Sequence, residues 1–564
     1  MKKIIAVLLT MLMIFSVCSA GVFALGDIDR PTSEIVVHSS RSQGPVIRLL
    51  GDGEPLYDKD QKKLFHIRSF YLPKDEEGEE SDIMGSMANV LFPFLVDGLL
   101  TDNWEPYYEN LQKEISELLG DARLDENGNP VNGTGISQAR KDEMKEALSK
   151  DSKKGKGYYG INDYRLWYDW RLDPLYTADI LHEHIQAVKK VTKCDKVSIM
   201  ASCLGTLVTT AYITKYGTDD LHGVGFTGSV SGGAEAMSEA ISGKFDIDGA
   251  AISRTLIDSD YVGEFSVDAL ITSSIDLLTA AGIFDGLEQG IKETLYAKLV
   301  EGVTSALALS TFFTWPTYWA MVTTEDYDEA MRHVFGPEGS EKRETYKGLI
   351  EKIENYNTVV RKNYVPTIKS IGENGVNFCA VSKYGFQILP ICQSNDAVSD
   401  QFVSVKRSSF GATTSKITDT LTDDYIAARI AENPANAACI SPDKKVDAST
   451  CLYPESTWFM KNVSHSEYTT FERKLMYDVV TADRQITVGE EVDGLTYSRF
   501  LVYDYETDVM TTMTEENCHT EHWEIQKDND KLSEKHNKIF NFVRTIIKWF
   551  LLVVEKLTKI VKYL

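Results

Sequence analysis

The sequence predicts an α/β fold. Three observations predict it: a strand, a sharp turn and a helix run together over 197–217, a second apolar strand region at 376–394 leads into a polar loop, and helical spacing dominates the stretch between them. The chain can support such a body: 43% of its 564 residues are hydrophobic and only 15 are prolines, which excludes wholesale disorder, a collagen-like repeat and a disulfide mini-scaffold. One large domain with insertions and appendages is expected. The net charge of −25 argues against nucleic acid as a partner, because an acidic surface repels phosphates.

In chain order, Lys2 and Lys3 precede an apolar run over 4–17, and Val22-Phe23-Ala24 places small residues before a cleavage point after Ala24. Residues 1–24 are therefore expected to be a signal peptide and the protein to be secreted. Short apolar runs at 35–38 and 45–50 end in Gly51-Asp52-Gly53, the pattern of an early strand followed by a tight loop. The core's N-terminal part is placed at 25–239, with a mostly polar insertion at about 75–160. A helix over 177–192 carries His182 and His184, which point to different faces and read as surface residues rather than metal ligands.

The segment 197–217 has the context of a nucleophile elbow. Residues two before and two after the tip must be small, because the backbone turns too tightly there for side chains. Centring on Cys203 puts Ala201 and Gly205 in those places, whereas centring on Ser202 puts Met200 and Leu204 there, which would clash. Cys203 is the candidate nucleophile. A helix N-terminus favours its thiolate through exposed N–H groups and the helix dipole. A small residue packing the turn is the alternative, so the chemistry needs a base and an acid elsewhere.

Both occur. Asp400, on the loop after 376–394, is the candidate acid, with Asp396 as fallback; His465, after a short apolar stretch in an Asn/Ser setting, is the candidate base. Nucleophile, acid, His is the chain order of the α/β-hydrolase fold. The backbone N–H groups of Leu204 and of a residue near Gly51-Asp52 are the expected oxyanion donors. His519 and His522 beside Cys518 lack a second pair of ligands, and 228–233 (GSVSGG) lacks the Lys of a phosphate loop, so no metal and no cofactor is expected.

Four segments also resemble a known family. Tyr168-Asp-Trp-Arg-Leu-Asp-Pro174, the elbow at 197–205, the stretch 225–236 and Pro316-Thr-Tyr-Trp-Ala-Met321 fall in the order seen in lecithin:cholesterol acyltransferase-like α/β hydrolases. The resemblance covers most of 45–475, and the segments 399–403 (SDQFV) and 462–465 (NVSH) resemble the acid and His segments of related bacterial lipases. It implies an α/β-hydrolase fold, with a mostly parallel sheet, helices on both faces, an oxyanion hole and a helical cap over a lipid-accepting site. It makes Cys203 the counterpart of the family's Ser, Asp400 the acid and His465 the base. This chain departs in having Ala201-Ser-Cys-Leu-Gly205 for Gly-His-Ser-x-Gly, Gln401 where Gly commonly follows the acid, and Leu50-Gly51 for Pro-Gly.

The remaining segments complete the expected layout. Residues 240–375, helical in pattern and rich in aromatics near 311–319, are expected to be the cap or a helical subdomain, and 376–483 the C-terminal part of the core. Residues 484–530 read as a small β-rich appendage or as a terminal part of the main sheet. The tail 531–564 carries eight Lys/Arg against two Glu, with apolar residues stepping by three and four from Ile539 to Leu564. That pattern is an amphipathic helix, lying on an anionic membrane or wall surface through 539–564 or docking on the acidic body. Among the cysteines, Cys379 with Cys392 and Cys439 with Cys451 are spaced to close locally; Cys194, Cys203 and Cys518 remain, an odd set with at least one free thiol, expected to be Cys203. The expected function is a secreted lipid-ester hydrolase or O-acyltransferase with an acyl-Cys intermediate. The alternatives are an inactive hydrolase-fold surface protein that binds lipid or a partner, and a cysteine-type amidase or peptidase.

Overall fold

The computed structural model describes residues 28–30, 44–51, 55–65, 94, 101, 103–119, 122–149, 163–244, 251, 311–389, 392–505 and 507–518. The expected signal segment 1–24, Asp52, His519, His522, most of 245–310 and the basic tail 531–564 lie outside them.

Alternating side chains on largely buried strands build cores on both faces of one eight-stranded sheet. Its strands are β1 (Val46–Leu49), β2 (Asp163–Arg165), β3 (Val197–Ser202), β4 (Leu221–Thr227), β5 (Asn377–Tyr384), β6 (Thr457–Lys461), β7 (Phe500–Asp504) and β8 (Val509–Thr512). They lie in the order β8-β7-β6-β5-β4-β3-β1-β2, and every neighbouring pair is parallel except the β7–β8 edge. On one face Ile47, Leu49, Ile199, Ala201, Val224, Phe226 and Ala380 join a core with α1 (Pro174–Thr192), α2 (Leu204–Tyr216), α3 (Glu235–Ser242) and α4 (Tyr364–Glu373). On the other, Val46, Met200, Cys379, Val381, Trp458 and Met460 pack on α5 (Thr470–Thr481). The chain is thus a mixed α/β protein with a large, mostly parallel sheet between helices, as parallel strands buried on both faces require. No helix among the described residues is long and apolar enough to cross a membrane.

Local sequence accounts for the helices. Asp173 caps α1 by accepting the Leu175 N–H, Pro174 occupies the first turn, and Leu181, Ile185 and Val188 recur on its buried face. Helix α5 sits directly on β4 because Gly223 and Gly225 present no side chain to it. A Cβ at Gly223 would come within 2.1 Å of the Val480 carbonyl oxygen. Gly223→Ala is therefore expected to lower the denaturation midpoint sharply, by about 3 kcal/mol or more of overpacking strain, read by urea unfolding.

The expected layout is refined at four places. The expected insertion packs on the main body where it is described: Trp104, Tyr107, Leu111, Ala122 and Leu124 are buried in the main core. The described part of the expected cap, 311–375, likewise has no core of its own; Phe312, Trp315, Tyr318 and Ile368 pack into the same cluster as the sheet. Of the two readings of 484–530, the described residues follow the second: β7 extends the main sheet parallel to β6, and β8 closes its edge antiparallel to β7. None of the seven described cysteines is in a disulfide, against the expected local pairings. Cys379 and Cys392 belong to different cores, and in the other pair the Cys439 and Cys451 thiols lie against the Ala435 and Ala448 carbonyls at 4.0 and 3.0 Å.

Candidate active site

In this sheet β1 is flanked by β2 on one side and β3 on the other, so loops leaving their C-terminal ends part there, the place where a ligand crevice ordinarily forms in such sheets. The candidate residues follow the C-terminal ends of successive strands: Gly51 after β1, Cys203 after β3, Gly228 after β4, Asp400 beyond β5 and His465 after β6.

Cys203 sits between β3 and α2 with φ 45° and ψ −122°, a backbone conformation that L-residues rarely adopt and that marks stored strain. The turn is tight because Gly205 lies against β1: a Cβ there would come within 2.4 Å of the Leu49 carbonyl oxygen. The Cys203 N–H donates to Thr227 O at 3.3 Å, and Thr206 closes the turn by donating its N–H to Cys203 O at 2.9 Å. Cys203 is buried, at 4% exposure. Position two after the tip therefore has to be glycine, in agreement with the spacing argument.

Gly51, two residues after β1, lies against the thiol. A Cβ on Gly51 would stand 3.2 Å from Cys203 Cβ, 3.5 Å from its Sγ and 4.0 Å from the Leu204 nitrogen. The loop is held by the Tyr168 hydroxyl, which donates to Leu50 O at 2.6 Å. Leu204 is the first residue of α2, and its N–H is one of the first-turn donors that a helix cannot satisfy itself. The next residues of the motif around Tyr168 act as a latch. Arg171, fully buried, grips Asp169 through Nε at 2.9 Å and Nη2 at 2.6 Å and donates to Ala122 O at 2.8 Å, where the Trp315 indole N–H also bonds.

Asp400 and His465 form a buried pair: Asp400 Oδ2 lies 2.7 Å from His465 Nδ1. Asp400 Oδ1 accepts the Phe402 and Val403 N–H groups at 3.1 and 2.9 Å, leaving Oδ2 for the imidazole. The His465 N–H donates to Asp400 O at 2.8 Å, so the two loops are joined by backbone as well as side chain. A carboxylate on Nδ1 fixes the tautomer with the proton there, and Nε2 is buried with no hydrogen-bond partner among the described residues. Gln401 reaches the glycine-favouring region at φ 87°. Asp396, the fallback acid, is half-exposed and pairs with Lys416 at 2.5 Å, away from the imidazole.

Gly228, the first residue of the glycine-rich run 228–233, lies against the imidazole. Its φ is 49°, and a Cβ there would stand 3.1 Å from His465 Cε1 and 3.6 Å from Asp400 Oδ2. Because Gly228 follows Thr227, the carbonyl partner of the Cys203 N–H, one stretch of backbone touches both the nucleophile turn and the base. The signal in the sequence was a glycine immediately after an apolar strand. Gly228→Ala is expected to displace the ring and lower kcat by about 10–100-fold with KM little changed, measured by steady-state kinetics. The acid loop is further tied down by Glu235 at the start of α3, which accepts from the Ser404 hydroxyl at 2.7 Å and Arg407 Nε at 2.8 Å.

No cluster able to hold a metal occurs among the described residues. His182 stacks on Tyr216, ring centroids 4.1 Å apart. His184 is buried in α1 rather than on the surface, and burial pushes its pKa down from 6.5 to about 4. An unfolded chain takes up this proton from about pH 6.5 downward and the folded one only near 4, so the stability present above 6.5 is lost as pH falls through that window. The urea midpoint should fall between about pH 7 and 5, and fall less in His184→Gln. Comparison with protein-family models, with curated proteins and with solved structures gives no match for this chain.

Proposed function

We propose that the chain is an α/β hydrolase. More particularly, it is proposed as an exported acyl-ester hydrolase or O-acyltransferase that works through an acyl-Cys203 intermediate. The observation that carries this reading is a strained elbow cysteine at a helix N-terminus, set at the same sheet end as a buried His465–Asp400 pair whose Nε2 is unoccupied. The order of these residues along the chain and the segments resembling lecithin:cholesterol acyltransferase-like hydrolases support it. That likeness suggests lipid-like esters as substrates, and the basic amphipathic pattern over 539–564 supports contact with an anionic membrane or cell surface.

The chemistry follows from the positions. His465 Nε2 takes the thiol proton as Sγ attacks the ester carbonyl, and the resulting oxyanion is held by the Leu204 N–H together with the backbone of the loop at Gly51. Collapse of the tetrahedral intermediate breaks the ester C–O bond; imidazolium Nε2 returns the proton to the leaving alkoxide, and a thioester remains on Cys203. Water or another hydroxyl then gives its proton to Nε2 and attacks the thioester, and the regenerated thiolate recovers that proton. Asp400 holds Nδ1–H throughout and stabilises the imidazolium. A panel of short- and long-chain esters and phospholipids, assayed with the wild type and Cys203→Ala, tests the reading. Cysteine-dependent turnover on long-chain esters supports it, turnover on amides alone would favour the amidase alternative, and tight lipid binding without turnover would leave a binding scaffold.

A further inference from the structure

We infer that a buried ion pair, Lys383–Glu472, is a positioning device that holds the nucleophile turn and the imidazole loop in register; the inference rests on the catalytic reading above. Lys383 on β5 and Glu472 on α5 are both completely buried, with Nζ 3.3 Å from Oε1. Removing two charges from water is costly, and apolar residues of similar size would pack this position at least as well. The pair's remaining contacts indicate what it does.

Each partner grips one side of the site. Glu472 Oε1 accepts the Thr227 hydroxyl, and the carbonyl of that same Thr227 accepts the Cys203 N–H at 3.3 Å. Lys383 Nζ lies over the Tyr468 ring at 3.9 Å and donates to the Glu467 carbonyl, two residues beyond His465. The Glu467 carboxylate in turn accepts the Ser464 N–H at 2.8 Å, on the other side of the histidine. A Glu at the third position of a helix ordinarily turns back toward the N-cap N–H. Glu472 instead reaches into the sheet, although Thr469 caps the helix by accepting the Glu472 N–H at 3.0 Å. The unit lies beneath the crevice: Ser202, Thr227 and Lys383 are the residues at the C-terminal ends of β3, β4 and β5 that point to the α5 face. Ser202 Oγ and Glu472 Oε2 are both buried there without a hydrogen-bond partner among the described residues. Polar groups left unsatisfied in an apolar layer are retained at a cost, which accords with a constraint imposed by the site above them rather than by packing.

The test uses Lys383→Met/Glu472→Gln in the full chain, which removes both charges together and leaves Gln Oε1 to accept from Thr227, and separately Thr227→Val. Alkylation of Cys203 by iodoacetamide is followed by peptide mass mapping at about pH 6, where only an imidazole-paired thiolate reacts, and at about pH 9, where any accessible thiol reacts. The double variant is expected to lose about 10-fold in the pH 6 rate and in kcat, with the pH 9 rate and KM within about 2-fold of wild type. Thr227→Val, which cuts only the link to the nucleophile turn, is expected to give the same split at reduced size, about 3-fold. A pH 6 to pH 9 rate ratio unchanged from wild type in both variants, or equal losses at both pH values, would overturn the inference. A wild type that itself shows no reaction at pH 6 would remove the catalytic reading and this inference with it, whereas reactivity without ester turnover would remove only the proposed substrate.

Discussion

Cys203→Ala is expected to abolish ester turnover, lowering kcat by about 10³-fold or more, while KM and the unfolding midpoint stay close to wild type. The size follows from the role, because without Sγ no thioester forms and His465 has no nucleophile to activate. The fold should tolerate the change: alanine keeps the backbone bonds to Thr227 O and from Thr206 N–H and adds no atoms to the tight turn. Cys203→Ser should separate nucleophilicity from geometry. A serine in the same place should be labelled by a fluorophosphonate while turning over esters at its own rate, whereas a cysteine that merely packs the turn would give neither result.

Asp400→Asn is expected to lower kcat by about 10⁴-fold and to leave the protein folded. The amide oxygen can still accept the Phe402 and Val403 N–H groups that define the loop. Its NH₂ would then face His465 Nδ1, where Asp400 Oδ2 now lies 2.7 Å away. An imidazole facing a donor carries its proton on Nε2, the nitrogen that has to accept the thiol proton. Steady-state kinetics with circular dichroism checks this. A loss below about 10-fold would show that the pair has no part in proton transfer.

What the sequence disclosed is what short-range geometry dictates. The elbow was legible because the demand for small residues at Ala201 and Gly205 falls within five positions, and the structure shows the demand at Gly205 as a clash with Leu49 O. The candidate acid and base were legible as a chain order, but their 2.7 Å contact spans 65 residues and depends on β5 and β6 lying side by side. Register of this kind is set by the whole sheet. For the same reason the membership of β7 and β8 in the main sheet was left open, and the burial of Tyr107 and Leu111 was missed behind a polar composition. Gln401 is the reverse case: a non-glycine residue after the acid takes a positive φ of 87°, which its identity does not announce. Lys383 did carry a signal, a lone charge in an otherwise uncharged strand, but its partner Glu472 is 89 positions away on a different element.

The most direct measurement is mass spectrometry of the intact protein quenched during turnover of an activated acyl ester. The account predicts a mass gain equal to the acyl group, mapped to the peptide containing Cys203, released by hydroxylamine as a thioester is, and missing from Cys203→Ala. It also predicts that His465→Ala fails to accumulate the adduct. Turnover with no adduct on Cys203, or an adduct that persists in Cys203→Ala, would contradict it.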